Sequence, residues 1–290
     1  MRTSIALGLL MLLPLATAAI PTRPDSTGLP GDGFDLAQAV ELFRNSDGPE
    51  AFEQALNTEG NHVNNLDLDG DGQVDFVHVV TQVEGDAAAI VLRVQVSPTE
   101  RQDVAVIGVE KVGPDSAVLQ ITGDEDLYPA GTIVEPFAEV ERPATTTRGP
   151  SAPVLVHVSV VVNVWAWRPV PWFFGPLYRP YVILRPWGQH PAWWRPWHLH
   201  PWPAWWGWRV HHHHHGYRPW PHCRVVHVKT MYAPGRAHSG LVKARYAEAH
   251  QRHARTRGSL EAAPGSTKHN ATKAGPERNV TEQPRKAGTG

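Results

Sequence analysis

Apolar residues change their spacing as this chain proceeds, and the spacing predicts the elements. In "FDLAQAVELFRN", residues 34–45, Leu36, Val40, Leu42 and Phe43 fall near a 3.6-residue period, which predicts a short amphipathic helix. "SDGPEAFEQALN", residues 46–57, predicts a second helix, with Asp47 as the cap, Pro49 in the first turn, and Phe52 with Leu56 as an i, i+4 apolar pair. From Gln73 the period drops to two. "VDFVHVVTQV", "AAAIVLRVQV", "QDVAVIGVEKV" and "SAVLQITG" are β-branched runs separated by short turn sequences, which is how an antiparallel meander reads, and the pattern ends near "GTIVEPF".

Beyond residue 140 the pattern changes character. "ERPATTTRGP" has the composition of a linker, which we place at residues 141–152. "PVLVHVSVVVNVWAW" is a β-branched run too short, and too polar at His157, Ser159 and Asn163, to span a bilayer. Proline then recurs every few residues up to residue 230, which predicts extended or polyproline-like chain. Residues 231–290 are basic and poor in large apolar side chains. "RAHSGLVKARYAEAHQRHAR" suits a helix, and the remainder is expected to be disordered. The predicted fold is therefore α+β: two short N-terminal helices and a small antiparallel β meander over residues 34–140, followed by an extended, low-complexity and largely disordered C-terminal half.

Charge sharpens this division. The formal net charge of -1 conceals 5 Lys/Arg against 23 Asp/Glu in residues 19–140, and 21 against 5 in residues 141–290. All 12 tryptophans lie between Trp165 and Trp220. At the other end, Arg2, the apolar stretch Ile5 to Leu15 and the small residues Ala16-Thr17-Ala18 read as a signal peptide over residues 1–18, followed by a Pro/Gly-rich leader to residue 33. This predicts export to the periplasm or the extracellular space. The single cysteine, Cys223, has no partner for an internal disulfide.

The most chemically loaded stretch is "NNLDLDGDGQVDFVHVV", residues 64–80. Asp67, Asp69, Asp71 and Asp75 stand at positions 1, 3, 5 and 9 of a loop running to residue 78, with Gly72 at position 6 and Gln73 at position 7. Alternate residues of a tightly wound loop point their oxygens inward, the glycine permits the sharp turn, and the Gln73 carbonyl adds a neutral ligand. Ca²⁺ takes six to eight such oxygens. The stretch resembles the EF-hand loop and its dockerin-type and other bacterial DxDxDG relatives. Position 12 departs from that pattern, because His78 stands where an EF-hand places a bidentate Glu and imidazole is a poor ligand for a hard cation. A structural ion without sensor movement is expected, with "GDED" (Asp124, Glu125, Asp126) as the candidate donor of the missing carboxylate. The competing reading is an Asp/Gly turn with solvated charges.

Together, "LDLDGDGQVDFV", "AIVLRVQV", "QDVAVIGVEKVG" and the Trp/Pro/Arg/His-rich segment resemble a group of uncharacterised exported bacterial proteins, a likeness covering residues 34–238. The resemblance implies an envelope or secreted setting and carries no activity with it.

Two further constellations are candidate sites. Trp193, Trp194, Arg195 and Trp197 pair aromatic rings with a cation, a combination suited to an anionic envelope surface or an acidic protein face, the chain's own acidic half included. Nucleic acid fits less well, because export removes the usual partner. His211, His212, His213, His214 and His215 offer imidazole nitrogens to Zn²⁺, Ni²⁺ or Cu²⁺, although consecutive histidines fix no single geometry. The sequence shows no nucleophile motif, no HExxH and no glycine-rich phosphate loop. The expectation is a non-enzymatic exported calcium-binding protein with an aromatic and cationic attachment segment. The alternative is a periplasmic protein that handles transition metals through its histidines.

Overall fold

Asp35 opens the first helix. In the computed structural model of this chain, which describes residues 26–143, 155–182, 185–211 and 216–262, its carboxylate accepts from the amides of Ala37 and Gln38 and so caps α1 (Leu36–Asn45). Helix α2 (Pro49–Leu56) begins on Pro49 with no side-chain cap, and the expected capping residue Asp47 instead pairs with Arg168. The apolar stripes of the two helices meet through Phe43 and Phe52, whose rings lie edge to face with centroids 5.4 Å apart.

The predicted meander is present and continues further. Strands β1 (Val77–Glu84), β2 (Ala87–Gln95), β3 (Arg101–Gly113) and β4 (Ser116–Gly123) pair antiparallel with their neighbours, and β5 (Ile133–Pro143) and β6 (Leu155–Val161) extend the order. The β-branched run that would be an aggregation hazard if unpaired is β6, which lies along β5 from Phe137↔Val161 to Pro143↔Leu155. With α1, α2 and the sheet the fold class is α+β, as expected.

The two faces of the sheet explain why the C-terminal half is ordered where it is described. Ala88, Ile90, Leu92 and Val94 of β2 face α1 and α2, in one core with Val40, Phe43, Phe52 and Leu56. The alternate residues Ala87, Ala89 and Val91 are equally buried, together with Val106 of β3, so the opposite face needs its own cover. The proline-rich half supplies it. After the four-residue helix α3 (Val170–Phe173), helix α4 (Trp202–His211) and strand β7 (Tyr217–Pro219, paired with β5), helix α5 (Val226–Tyr232) lays Val225 and Val228 on that second face. Gly108 permits the close approach: a Cβ there would stand 2.8 Å from Val225 Cγ2. Helices α6 (Gly240–Arg245) and α7 (Ala247–Ala262) follow.

The same half also enters the first core. Val164, Trp167, Val170 and Phe173 are buried there, and Trp205 is fully buried with its indole N–H on the Asp32 carbonyl at 2.9 Å. Each such side chain contributes roughly 1.5–3 kcal/mol by leaving water. Charge completes the attachment, as Arg218 and Arg224 both pair with the buried Glu135, and Arg209 pairs with Asp35. The expectation of an extended, largely disordered C-terminal half is thus corrected for its described residues. Part of the expected partner for its arginines is the chain's own acidic half. The signal peptide, most of the leader, the linker from residue 144 and residues 263–290 lie outside the described residues. Among the described residues, no helix is long and apolar enough to cross a membrane.

Candidate metal centre

Backbone hydrogen bonds close the acidic loop at its base. The Asp75 amide donates to the Leu66 carbonyl at 2.8 Å, and the Asn64 side-chain amide donates to the Asp75 carbonyl at 2.8 Å. Val74 is buried at the loop's exit. Inside this closure the carboxylates turn onto the loop's own amides. Asp67 accepts from Gly70 at 2.6 Å and from Gly72 at 3.1 Å, Asp69 accepts from Asp71 at 3.0 Å, and Asp71 accepts from Gln73 at 2.8 Å. Gly72 has φ +85°, a left-handed angle that explains the glycine at position 6.

The result is a convergence of like charge. One carboxylate oxygen from each of Asp67, Asp69 and Asp71 lies within 4.8 Å of the others. Burial, followed by the charges of Asp71 and Asp67, holds the Asp69 carboxyl above its ordinary range, and Arg245 pulls the other way without cancelling the effect. Asp75 stands apart from this trio, half-buried, with Oδ2 accepting from the Leu68 amide at 2.5 Å. Its carboxyl is pushed well above the usual carboxylate range by burial first and then by the charges of Asp69, Asp67 and Asp71.

The donor set fits a hard divalent cation. Three anionic oxygens converge, and the carboxyl of Asp75 is driven toward its neutral form by burial and, second to it, by the charges of the three aspartates, which a bound cation would offset. Gln73 is held in place, with its backbone bridged antiparallel to His198 and its side-chain amide donating to Asp71 at 3.2 Å. His78 does not join the trio. It lies on β1 opposite Arg93, is 4% exposed, and has its pKa lowered to about 4 chiefly by burial, so it is neutral at ordinary pH.

No family model, curated protein or solved structure matches this chain.

The expected extra donor is engaged elsewhere. Asp124, Glu125 and Asp126 all pair with Arg236, at 2.6, 3.1 and 2.9 Å, and Asp124 also accepts from Gln102, so "GDED" is a structural knot and does not complete the loop.

The tryptophan-rich segment, by contrast, comes directly to the loop. The Val74 amide donates to the Trp197 carbonyl at 2.8 Å. Trp194 is only 5% exposed and packs edge to face on Phe76 at 5.2 Å, so it is a wall of the site and not a surface anchor. Trp197 is half-buried, while Trp193 and Arg195 remain exposed. A cavity of about 230 Å³ opens between Trp187 and Trp194 on one side and Asp69, Asp71 and Asp75 on the other.

Sequence reasoning missed the residues that hold the loop from the far end of the chain. The Arg245 guanidinium packs on Gly70 and donates to the Leu68 carbonyl, and the Tyr246 hydroxyl donates to the Asp67 carbonyl at 2.9 Å. The one available signal was an aromatic residue, Tyr246, in a basic stretch, where it stands as the C-cap of α6. Of the five-histidine run, His211 ends α4 and His212 to His215 lie outside the described residues.

Proposed function

We propose that this chain is an exported, non-enzymatic calcium-binding protein of the bacterial envelope. The ion at Asp67, Asp69 and Asp71 would fix the loop where the β domain, the tryptophan-rich segment and helix α6 meet. The observation that carries this reading is the convergence of the three carboxylates within 4.8 Å on a loop whose spacing places oxygen donors inward. The elevated carboxyl of Asp75 supports it, because a cation would relieve the repulsion from Asp69, Asp67 and Asp71 that adds to the effect of burial. Export is supported by the N-terminal Arg2, the apolar stretch and the Ala16-Thr17-Ala18 site, together with the resemblance to exported bacterial proteins. Attachment falls to the exposed Trp187, Trp193 and Arg195 around the site, with an anionic envelope surface or an acidic protein as the partner.

Calorimetric titration of the full chain tests the ion. The reading requires one Ca²⁺ per chain, weaker binding of Mg²⁺ because that ion demands a smaller octahedral site, and loss of the heat in Asp69→Asn and Asp71→Asn. Equal heats in wild type and both variants, or no heat at all, would reduce the loop to a charged turn.

A further inference from the structure

The tryptophan-rich segment covers the outer edge of β1 and carries most of the apolar side chains that stand in solvent. The Thr81 amide donates to the Tyr181 carbonyl at 2.9 Å, Val80 bridges Val182, and the Val74 amide donates to the Trp197 carbonyl at 2.8 Å. These attachments lie roughly 23 Å apart along extended chain, so the segment is pinned at both ends as a strip beside the sheet. Nine large apolar side chains are exposed among the described residues, and five of them, Leu177, Val182, Trp187, Trp193 and Leu199, belong to this strip or flank it.

Its cations differ from those around them. Arg209, Arg218, Arg224 and Arg236 each pair with an acidic side chain, whereas the exposed Arg179 and Arg195 donate only to backbone carbonyls of their own segment. The sequence has no Asp or Glu between Glu141 and Glu248, so the strip supplies no counter-charge of its own. Apolar and cationic groups side by side fit an anionic phospholipid bilayer, whose headgroups pair with arginine and whose interface receives Trp, Leu and Val. A sugar polymer offers nothing to Leu177, which is 78% exposed. An acidic protein answers the arginines but needs a matching recess for each of five apolar side chains, while a bilayer takes them in any arrangement.

The acidic loop opposes this approach. Asp69 and Asp71 line a cavity together with Trp187, and a carboxylate oxygen of Asp67 lies within 4.8 Å of theirs. Three carboxylates at one end of the strip cancel Arg179, Arg185 and Arg195, and a divalent ion held among them leaves a surplus of two positive charges. We propose that the strip from Leu177 to Leu199 docks on an anionic phospholipid bilayer, with Leu177, Val182, Trp187 and Trp193 entering the headgroup region, and that Ca²⁺ at the acidic loop permits the docking. The proposal deepens the attachment reading above and rests on the calcium reading for its dependence on the ion.

Vesicle sedimentation of the full chain tests this, with phosphatidylglycerol–phosphatidylethanolamine vesicles against phosphatidylcholine vesicles, each with Ca²⁺ and with chelator, and with Ca²⁺ binding followed separately by calorimetry. The anionic vesicles should bind the chain about 25-fold more tightly with Ca²⁺ than with chelator, on about fivefold for each surplus charge near the surface. Brominated phosphatidylglycerol should quench the tryptophan fluorescence, a signature that charge attraction alone does not give. Leu177→Ser combined with Trp187→Ser, both at exposed positions, should weaken vesicle binding about tenfold with the melting temperature unchanged. Arg179→Gln combined with Arg195→Gln should weaken binding to the anionic vesicles as well. Failure to bind anionic vesicles while Ca²⁺ still gives its heat would overturn the bilayer docking and leave the calcium reading standing. Equal vesicle binding in Ca²⁺ and in chelator would refute the ion's part in it. Tight binding to soluble polyglutamate without quenching by brominated lipid would replace the bilayer by an acidic protein, and full binding in both double variants would rule out the strip as the docking surface.

Discussion

The Val74 amide and the Trp197 carbonyl share a 2.8 Å hydrogen bond, so the acidic loop and the tryptophan-rich segment form one structure. The bridge between Gln73 and His198 sits beside that bond. What sequence composition divides into an acidic domain and a basic tail is joined where the carboxylates converge. Ordering of the loop by an ion and seating of the tryptophan segment should therefore occur together.

Asp75 reports on this coupling. Its carboxyl is raised by burial and by three neighbouring aspartates, so Asp75→Asn removes an unfavourable charge while retaining an oxygen for the Leu68 amide. With chelator present the variant should melt a few degrees above wild type, and with Ca²⁺ the order should reverse. Paired thermal melts in the two conditions check this.

His78 sets an acid limit. Its folded pKa of about 4 lies below the ordinary histidine value of 6.5, so the unfolded chain binds the extra proton first and stability falls as pH drops from about 6.5 toward 4. The full effect is about 3 kcal/mol. Asp75 and Glu53, both raised, act in the opposite direction, so the informative quantity is the difference between wild type and His78→Gln. Urea denaturation across that pH window should show a shallower acid loss in the variant.

Gly108 holds α5 against the sheet. Gly108→Val places methyl groups where Val225 and Val228 already sit, and should cost about 1–3 kcal/mol. Cys223, half-buried beside the same cluster, should then react faster with a thiol reagent.

Arg236 neutralises the acidic knot. In Arg236→Ala the nearly buried Asp124 loses its cation, and Glu125 and Asp126 add to the uncompensated charge, for a destabilisation of about 2 kcal/mol once partial solvent screening is allowed for. Chemical denaturation measures it, and Asp124→Asn combined with Arg236→Ala should recover part of the loss.

The helices and the meander were legible because local period decides them: Leu36, Val40 and Phe43 for α1, and the two-residue alternation for β1 to β4. The loop was legible for the same reason, since its spacing is local. The order of the C-terminal half was not, because proline frequency describes what a segment cannot form alone and says nothing about what it packs on. A signal was nevertheless present. Ala87, Ala89 and Val91 are apolar on the face where a one-sided sheet would be polar, and that face demanded a cover that only the later chain could supply. The pairing of Arg236 with "GDED" and the reach of Tyr246 to Asp67 are tertiary and have no local trace.

The most direct test of the central claim is terbium luminescence excited through tryptophan. Tb³⁺ at the loop would lie near Trp194 and Trp197, so the full chain should show sensitised emission that Ca²⁺ displaces, and Asp69→Asn and Asp71→Asn should abolish it. An absence of sensitised emission, or emission indifferent to Ca²⁺ and to both substitutions, would contradict an ion at Asp67, Asp69 and Asp71 beside the tryptophan segment.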